Sequence, residues 1–406
     1  MLKKALSSLL TVLLLLSLGP VAAFAQTETG QITVKASDPQ GAVVPGATVT
    51  IKSVERGAES TNTTNEEGTA IFTNLQPGLY DVTVTGGGFA ASTQRAQITA
   101  GAKLSVEFAL SAQAKGESIT VVAGEGGVEV NTQTQELSDV VSQKQITELP
   151  TLTRNPYDLV GISGNVSPAD ASLRGTGFAI NGQRAASTNI LLDGGENVDT
   201  FVAGVGQSVP LDAVQEFRII TSNFSAEYGR ASGGIVNVAT RAGSNTFHGS
   251  LYEFNRVSAL ASNDFENNAQ GIEKGVFTRN QFGYSVGGRL IKDKLFFFSS
   301  TEWTRIASTQ EVVSIVPTPQ FIASSSAATR AYFANYNLVT PINGPVSGGF
   351  GQVRLPRAVD AGGGTPGNDW QTVGRFDYNW SDKTQIYFRG AFQQGDNPPG
   401  TVSFSP

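Results

Sequence analysis

Catalysis needs a nucleophile, a proton-transfer group or a metal, and this chain offers few of these. His248 is its only histidine and it has no cysteine, which excludes disulfides, thiolate metal sites and the usual His/Cys clusters. A Ser-His-Asp arrangement would have to be assembled on His248 alone, and a structural role for it outweighs a catalytic one. Gly229-Arg230-Ala231-Ser232-Gly233-Gly234 lacks the Gly-Lys-Ser/Thr ending and the following helix of a phosphate cradle. Asp193 and Glu196 could act as paired carboxylates at a suitable separation, but they flank an Asp-Gly-Gly stretch and read as turn formers. Asp38, Glu66 and Glu67 read as solvated turn acids rather than a calcium site, since Ca²⁺ takes six to eight oxygens. No catalytic residue, metal or cofactor is expected, and the chain is not expected to be an enzyme.

The charged residues that do concentrate are Arg174, Arg184, Asp193, Glu216, Arg218, Glu227 and Arg230. The elements around them are short. Thr188-Asn189-Ile190-Leu191-Leu192 and Phe217-Arg218-Ile219-Ile220-Thr221 are strand-length apolar runs bounded by Asp-Gly, Gly-Gly and Asn, residues that accept the positive φ of tight turns. Leu211, Val214 and Phe217 fall three apart and predict one short helix feeding a strand. A second short helix is predicted over 140–149, from Val141, Ile146 and Leu149, ending at Pro150. This is a small α/β unit.

The ordered blocks here resemble the plug domain of TonB-dependent outer-membrane receptors, in the Oar-like branch that carries an N-terminal carboxypeptidase-regulatory-like domain. The blocks are Asn181-Gly182-Gln183-Arg184, Leu191-Leu192-Asp193-Gly194, Asp212-Ala213-Val214-Gln215-Glu216-Phe217, Ser225-Ala226-Glu227-Tyr228-Gly229-Arg230, Gly233-Gly234-Ile235-Val236-Asn237-Val238 and His248-Gly249-Ser250. The resemblance implies a plug seated in a large barrel that gates energised uptake, and it puts His248 on the first barrel strand. The seven charged residues are then either polar contacts between plug and barrel or ordinary surface charges and ion pairs.

The 406 residues leave room for two or three domains. Lys3 and Lys4, the apolar run Leu6 to Leu18 and Ala23-Phe24-Ala25 form a signal peptide over 1–25, too short to span a bilayer. Residues 28–112 show five β-prone runs separated by Asp38-Pro39, Pro45-Gly46, Asn65-Glu66-Glu67-Gly68 and Gln76-Pro77-Gly78, which predicts a β-sandwich. Pro45-Gly46-Ala47-Thr48-Val49 and Leu75-Gln76-Pro77-Gly78-Leu79-Tyr80 resemble a carboxypeptidase-regulatory-like domain, which has no catalytic residues. Residues 113–131 form a linker in which Ser118, Ile119, Thr120, Val121 and Val122 are β-prone. The resemblance places a TonB box there, an extended peptide adding to a sheet of the TonB periplasmic domain. The same run also fits a last strand of the sandwich. Residues 132–244 form the plug.

From 246 to 406 the pattern changes to long alternating strands. Phe282, Tyr284, Val286 and Leu290 share one parity of 280–291, and Gln281, Gly283, Ser285, Gly287 and Arg289 share the other. Leu295 to Arg305 returns with Phe297 and Trp303. The segments 370–380 and 384–393 repeat the design, with Phe376, Tyr378, Ile386 and Phe388 against Gln371, Arg375, Asp377, Gln385 and Arg389. Ten-residue strands, apolar outside and polar inside, predict the first strands of an antiparallel transmembrane β-barrel in contact with outer-membrane lipid. Residues 306–369 read as a long extracellular loop.

The expected fold is therefore mainly β: sandwich, plug, then an incomplete barrel. A complete barrel of this kind has about 22 strands, so the chain reads as the N-terminal portion of a receptor or a truncated product. The expected function is a bacterial outer-membrane receptor and transporter for an unidentified extracellular ligand. The alternative is a structural or adhesive envelope protein. A net charge of −6 argues against nucleic acid as a partner.

Overall fold

The computed structural model describes residues 29–86, 88–111, 119–121, 135–168, 175–269, 271–336, 341–381 and 384–396. The expected leader 1–25, Ser118, Val122, Arg174 and residues 403–406 lie outside them.

The first unit is two facing sheets. β1 (Gly30–Ser37), β4 (Thr69–Leu75) and β7 (Lys103–Ala109) form one, in the order β4-β1-β7. β2 (Thr48–Ser53), β3 (Glu59–Thr63), β5 (Gly78–Thr85), β6 (Ser92–Ile98) and β8 (Ile119–Val121) form the other, in the order β3-β2-β5-β6-β8. Alternate residues of the inner strands, among them Ile32, Val34, Val49, Ile51, Val82 and Val84, meet in a fully buried core. That period of two is what seals one face of each sheet.

The middle unit holds β9 (Leu137–Val141), β10 (Val166–Pro168), β11 (Phe178–Ile180), β12 (Thr188–Leu192), β13 (Gly195–Glu196), β14 (Val214–Ser222) and β15 (Gly234–Thr240). Its main sheet runs β13-β12-β15-β14-β9, parallel only between β12 and β15. β12 and β15 are buried along their whole length, because the sheet is covered on both faces. The helix expected over 140–149 is shorter. Val140 and Val141 end β9, and α1 (Gln143–Glu148) begins after Ser142, whose side chain forms a capping box with Gln145. The three-residue spacing at 211–217 yields only a 3₁₀ turn, Leu211–Ala213, before β14 takes over.

The third unit is an antiparallel wall. It comprises β16 (His248–Val257), α2 (Phe265–Ala269), β17 (Val276–Ile291), β18 (Leu295–Pro317), α3 (Pro319–Ser324), α4 (Ala327–Tyr336), β19 (Val346–Ser347), β20 (Phe350–Arg357), β21 (Gly367–Ser381) and β22 (Thr384–Asp396). The wall strands run β16-β17-β18-β21-β22. Side chains alternate as the sequence predicts: Gln281 and Ser285 are buried on the inner face, while Leu290, Phe376 and Phe388 are exposed on the outer one. Phe297, Phe376 and Phe388 stand in one cross-strand row of the outer face. Trp303 and Trp370 pair six positions further along, toward the loop end, and Trp380 lies toward the turn end. Aromatics bracketing an apolar band are how a strand wall meets a bilayer.

One expectation fails. Residues 306–369 are not simply a loop, because β18 has 23 residues and pairs with β21 along Leu295–Ile306 and with β20 along Gln310–Pro317. At ~3.3 Å per residue β18 is roughly 75 Å long, well beyond a hydrocarbon layer of about 30 Å even when tilted. Its upper half must stand clear of the lipid.

Gly243 lies where the middle unit meets the wall. A Cβ there would sit 2.4 Å from the Phe297 carbonyl oxygen and 2.7 Å from that of Gly288. Both are main-chain atoms locked in the β17–β18 ladder, so they cannot give way. Gly243→Ala is expected to destabilise the protein by about 1–3 kcal/mol, read as a lowered denaturant midpoint in detergent micelles.

Candidate functional site

The middle unit packs against the inner face of the wall, and Phe298 and Val373 of the wall join the middle unit's own hydrophobic core around Phe217, Ile219 and Val236. Two charge clusters punctuate this apolar seam.

The first is centred on Asp193. β12 and β13 are joined by a two-residue hairpin, with Leu192 paired to Gly195 and with φ of 49° at Asp193 and 74° at Gly194. Positive φ at both central residues defines a type I′ turn and explains the Asp-Gly pair. The turn also delivers the Asp193 carboxylate into the seam, where its side chain is fully buried. It accepts from the Thr240 N–H at 2.6 Å and from the Thr240 hydroxyl at 2.6 Å. Arg389 Nε lies 2.8 Å and Arg375 Nη1 3.6 Å away, both on the wall. Arg375 is also held by Asp377, its Nη2 3.0 Å from Oδ1, and it stacks 4.7 Å over the Tyr387 ring. The Tyr387 hydroxyl donates to the Asp193 carbonyl at 3.1 Å. Two carboxylates and two guanidiniums thus neutralise one another, with only the Arg389 side chain partly exposed.

The second cluster reverses the polarity. Arg154, on the middle unit at a positive φ of 57°, donates through Nε to Glu302 of β18 at 3.2 Å and pairs through Nη2 with Asp212. Glu302 is 1% exposed and also accepts from the Tyr252 hydroxyl at 3.1 Å, Gln281 at 3.3 Å and Gln371 at 3.4 Å. The Arg154 guanidinium lies 4.1 Å from the Phe254 ring centroid and 4.6 Å from that of Tyr252. Burial alone would lower the Arg154 pKa, but the charges of Glu302 and Asp212 outweigh it and raise the value. Arg279 and Gln281 both donate to the Thr153 carbonyl, at 2.7 and 3.0 Å. Beside this cluster a cleft of about 350 Å³ opens between Thr153, Asn155 and Ser208 of the middle unit and Arg279, Gln371 and Gln393 of the wall.

The first unit touches both others. The Ala100 N–H donates to Glu216, and Arg218 Nη1 donates to the Ala100 carbonyl at 3.3 Å. Arg218 also lies 3.6 Å from Glu136. Gln76 Nε2 donates to Asp377 of the wall at 3.2 Å, and the Asn245 N–H donates to the Glu55 carbonyl at 3.0 Å.

The charged residues singled out by sequence therefore scatter. Asp193 contacts the wall. Glu216 and Arg218, proposed for the same role, instead face the first unit and Glu136, because β14 presents them toward the Ala100 turn. Arg230 pairs with Glu196 at 2.5 Å inside the middle unit and is exposed. Arg184 and Glu227 are exposed as well, and Arg174 lies outside the described residues. Ile119, Thr120 and Val121 form β8, the edge strand beside β6. Arg154, Asp212 and Glu302 were missed. The one available signal was an acid at the inward parity of a strand otherwise bearing Phe and Trp.

Comparison with known proteins assigns the two ends of the chain. Residues 239–406 match the model of an outer membrane beta barrel domain, and residues 31–111 match that of a carboxypeptidase regulatory-like domain. The TonB-dependent transporter Oar of Myxococcus xanthus is 26% identical over 291 residues, covering 68% of this chain and 27% of that protein. Among solved structures, a ferric enterobactin receptor mutant of Pseudomonas aeruginosa shares 16% identity over 64% of this chain and 33% of that one, with a TM-score of 0.38. The siderophore receptor PirA of Acinetobacter baumannii shares 16% over 64% and 40%, with a TM-score of 0.35. The chain thus carries an outer membrane beta barrel domain and a carboxypeptidase regulatory-like domain, and its place is the bacterial outer membrane. It is a homologue of the TonB-dependent transporter Oar and spans about a quarter of that protein's length.

Proposed function

We propose that the chain forms the N-terminal portion of a gated outer-membrane transporter, with the middle unit as its plug and TonB as its energiser. The observation that carries this reading is the seam. A compact α/β unit lies against the inner face of a lipid-facing wall and is held there by two buried charge clusters of opposite polarity. Such clusters add little net stability over apolar packing but are costly to break one partner at a time, a useful property for a stopper that must stay seated until it is pulled. The first unit lies at the hairpin-turn end of the wall, which becomes the periplasmic side. The cleft beside Arg154 then opens toward the extracellular side, where an unidentified ligand would contact plug and wall together.

Force enters through 118–122. From there the chain returns to the plug at Glu136 and β9, the edge strand of the plug sheet. A pull from the N-terminal side loads the Glu136–Arg218 pair first and then peels β9 from β14, one ladder position at a time. Recognition by TonB is strand addition, with main-chain hydrogen bonds supplying the affinity.

The test uses the full-length receptor and the purified periplasmic domain of the host TonB. A Thr120→Pro/Val121→Pro double variant removes one N–H from each edge of the strand, so a donor is lost whichever edge TonB takes. Binding is expected to weaken about tenfold or more, since one ladder bond with its strand geometry is worth ~1.4 kcal/mol. Unchanged affinity would overturn the assignment of the coupling segment.

A further inference from the structure

We infer that the edge of β6 is the resting berth of the coupling segment, so that the carboxypeptidase-regulatory-like domain shields that segment until TonB takes it. This rests on the reading of 118–122 as the TonB-contacting run. The observation is a ladder: β8 runs parallel to β6, with Ser92 opposite Ile119, Thr93 opposite Thr120 and Gln94 opposite Val121.

β6 is otherwise the end of its sheet, since its other side is occupied by β5 over the seven positions Gly78↔Ile98 to Val84↔Ser92. An open edge of this kind presents unpaired N–H and C=O groups to any extended chain. Strand addition is also how TonB is expected to bind. One edge of the segment is already paired to β6, so a TonB strand that takes that same edge must displace it, and domain and energiser then compete for it. The berth is short enough to be lost to a longer strand pairing.

The same domain also touches the plug. Ala100 follows β6 by two residues, and its N–H and carbonyl bond Glu216 and Arg218 of β14. Displacing β8 therefore acts on the strand whose far end grips the plug sheet. Occupancy of the berth and seating of the plug are linked through one short segment, 92–100.

A disulfide test is clean because the chain has no cysteine. Adjacent strands run about 4.8 Å apart, within the 4.4–6.8 Å Cα separation a disulfide tolerates. Thr93 is a suitable site, since its hydroxyl pairs with Thr83 on the outer face of the sheet at 2.9 Å and not in the core. In the full-length receptor, Thr93→Cys/Thr120→Cys is expected to cross-link on mild oxidation, whereas each single variant does not. The oxidised form is expected to bind the purified TonB periplasmic domain at least about tenfold more weakly than the same sample after reduction. Failure of the pair to cross-link shows that the berth is empty and overturns the inference. So does a cross-linked receptor that binds TonB as well as the reduced one. If the parent receptor itself does not bind the TonB domain, the coupling assignment fails and takes this inference with it. That result is distinct from equal binding by locked and unlocked forms, which removes the berth alone.

Discussion

Replacing Asp193 with alanine is expected to destabilise the seating of the middle unit on the wall by about 3–5 kcal/mol, the cost of stripping one partner from a buried ionic cluster. The geometry explains the size. The carboxylate is fully buried between Arg375 and Arg389, and its two oxygens also satisfy the N–H and hydroxyl of Thr240. Without it Arg389 faces the seam with no carboxylate, and the Thr240 N–H is orphaned. Arg375 keeps Asp377, so part of the network survives. The alanine variant also places a Cβ residue with no turn-forming side chain at φ 49°, where Asp and Asn are far better tolerated.

Asp193→Asn separates these contributions. It keeps the turn and an acceptor for Thr240 but removes the charge, and its loss is expected to be smaller, about 1.5–3 kcal/mol. A double-mutant cycle with Arg389→Ala should give a coupling of about 1–3 kcal/mol. The readouts are the denaturant midpoint of the micelle-bound protein and the protease susceptibility of residues 175–240. If alanine at 193 leaves both unchanged, the cluster does not hold the two units together.

The strand wall was legible because a period of two survives in a single sequence. Gln281 and Ser285 on one parity of β17 and Val286 and Leu290 on the other are enough to orient the strand. Turn chemistry was equally readable, and the Asp193-Gly194 pair identifies its own hairpin. The polar parity did not hold everywhere, since Phe296 and Phe298 point inward and are buried. At Phe298 the wall is lined by the core of the middle unit and not by water, so the inner face there is apolar. The upper half of β18 was hidden for a related reason. It pairs with β20, and its apolar residues Val312, Val313, Ile315 and Val316 fall on both parities, so no alternation distinguishes it from the loops around it.

Partners across the seam are a different matter. Arg154 lies 148 residues from Glu302, and Glu216 lies 116 from Ala100. Charge alone does not say which of several acids an arginine will meet at such separations. Glu216 and Arg218 were recognisable as charged positions on a buried strand. That they face the first unit depends on how β14 is set against the Ala100 turn, which no local pattern encodes.

The second large effect is expected at Glu302. Glu302→Ala removes the acceptor of four donors at once: Arg154, Tyr252, Gln281 and Gln371. Each buried donor left without a partner costs about 1–3 kcal/mol. Some will relax, since Gln281 still reaches the Thr153 carbonyl and Arg154 still has Asp212. The net loss is expected at about 3–5 kcal/mol, comparable with other broken buried pairs. Glu302→Gln discriminates charge from hydrogen bonding. Its amide oxygen can still accept, but its NH₂ meets donors where an acceptor stood, so it should recover only part of the loss. Arg154→Met offers the reverse experiment, because it removes the buried cation while its side chain still packs near Phe254 and Tyr252. In the Glu302→Ala background, Arg154→Met is expected to restore about 1–3 kcal/mol, since it takes away a guanidinium that has lost its main carboxylate. Additive losses in the double variant, read from denaturant midpoints, would show that Asp212 and the aromatic rings alone hold Arg154. The cluster would then not act as a latch between the two units.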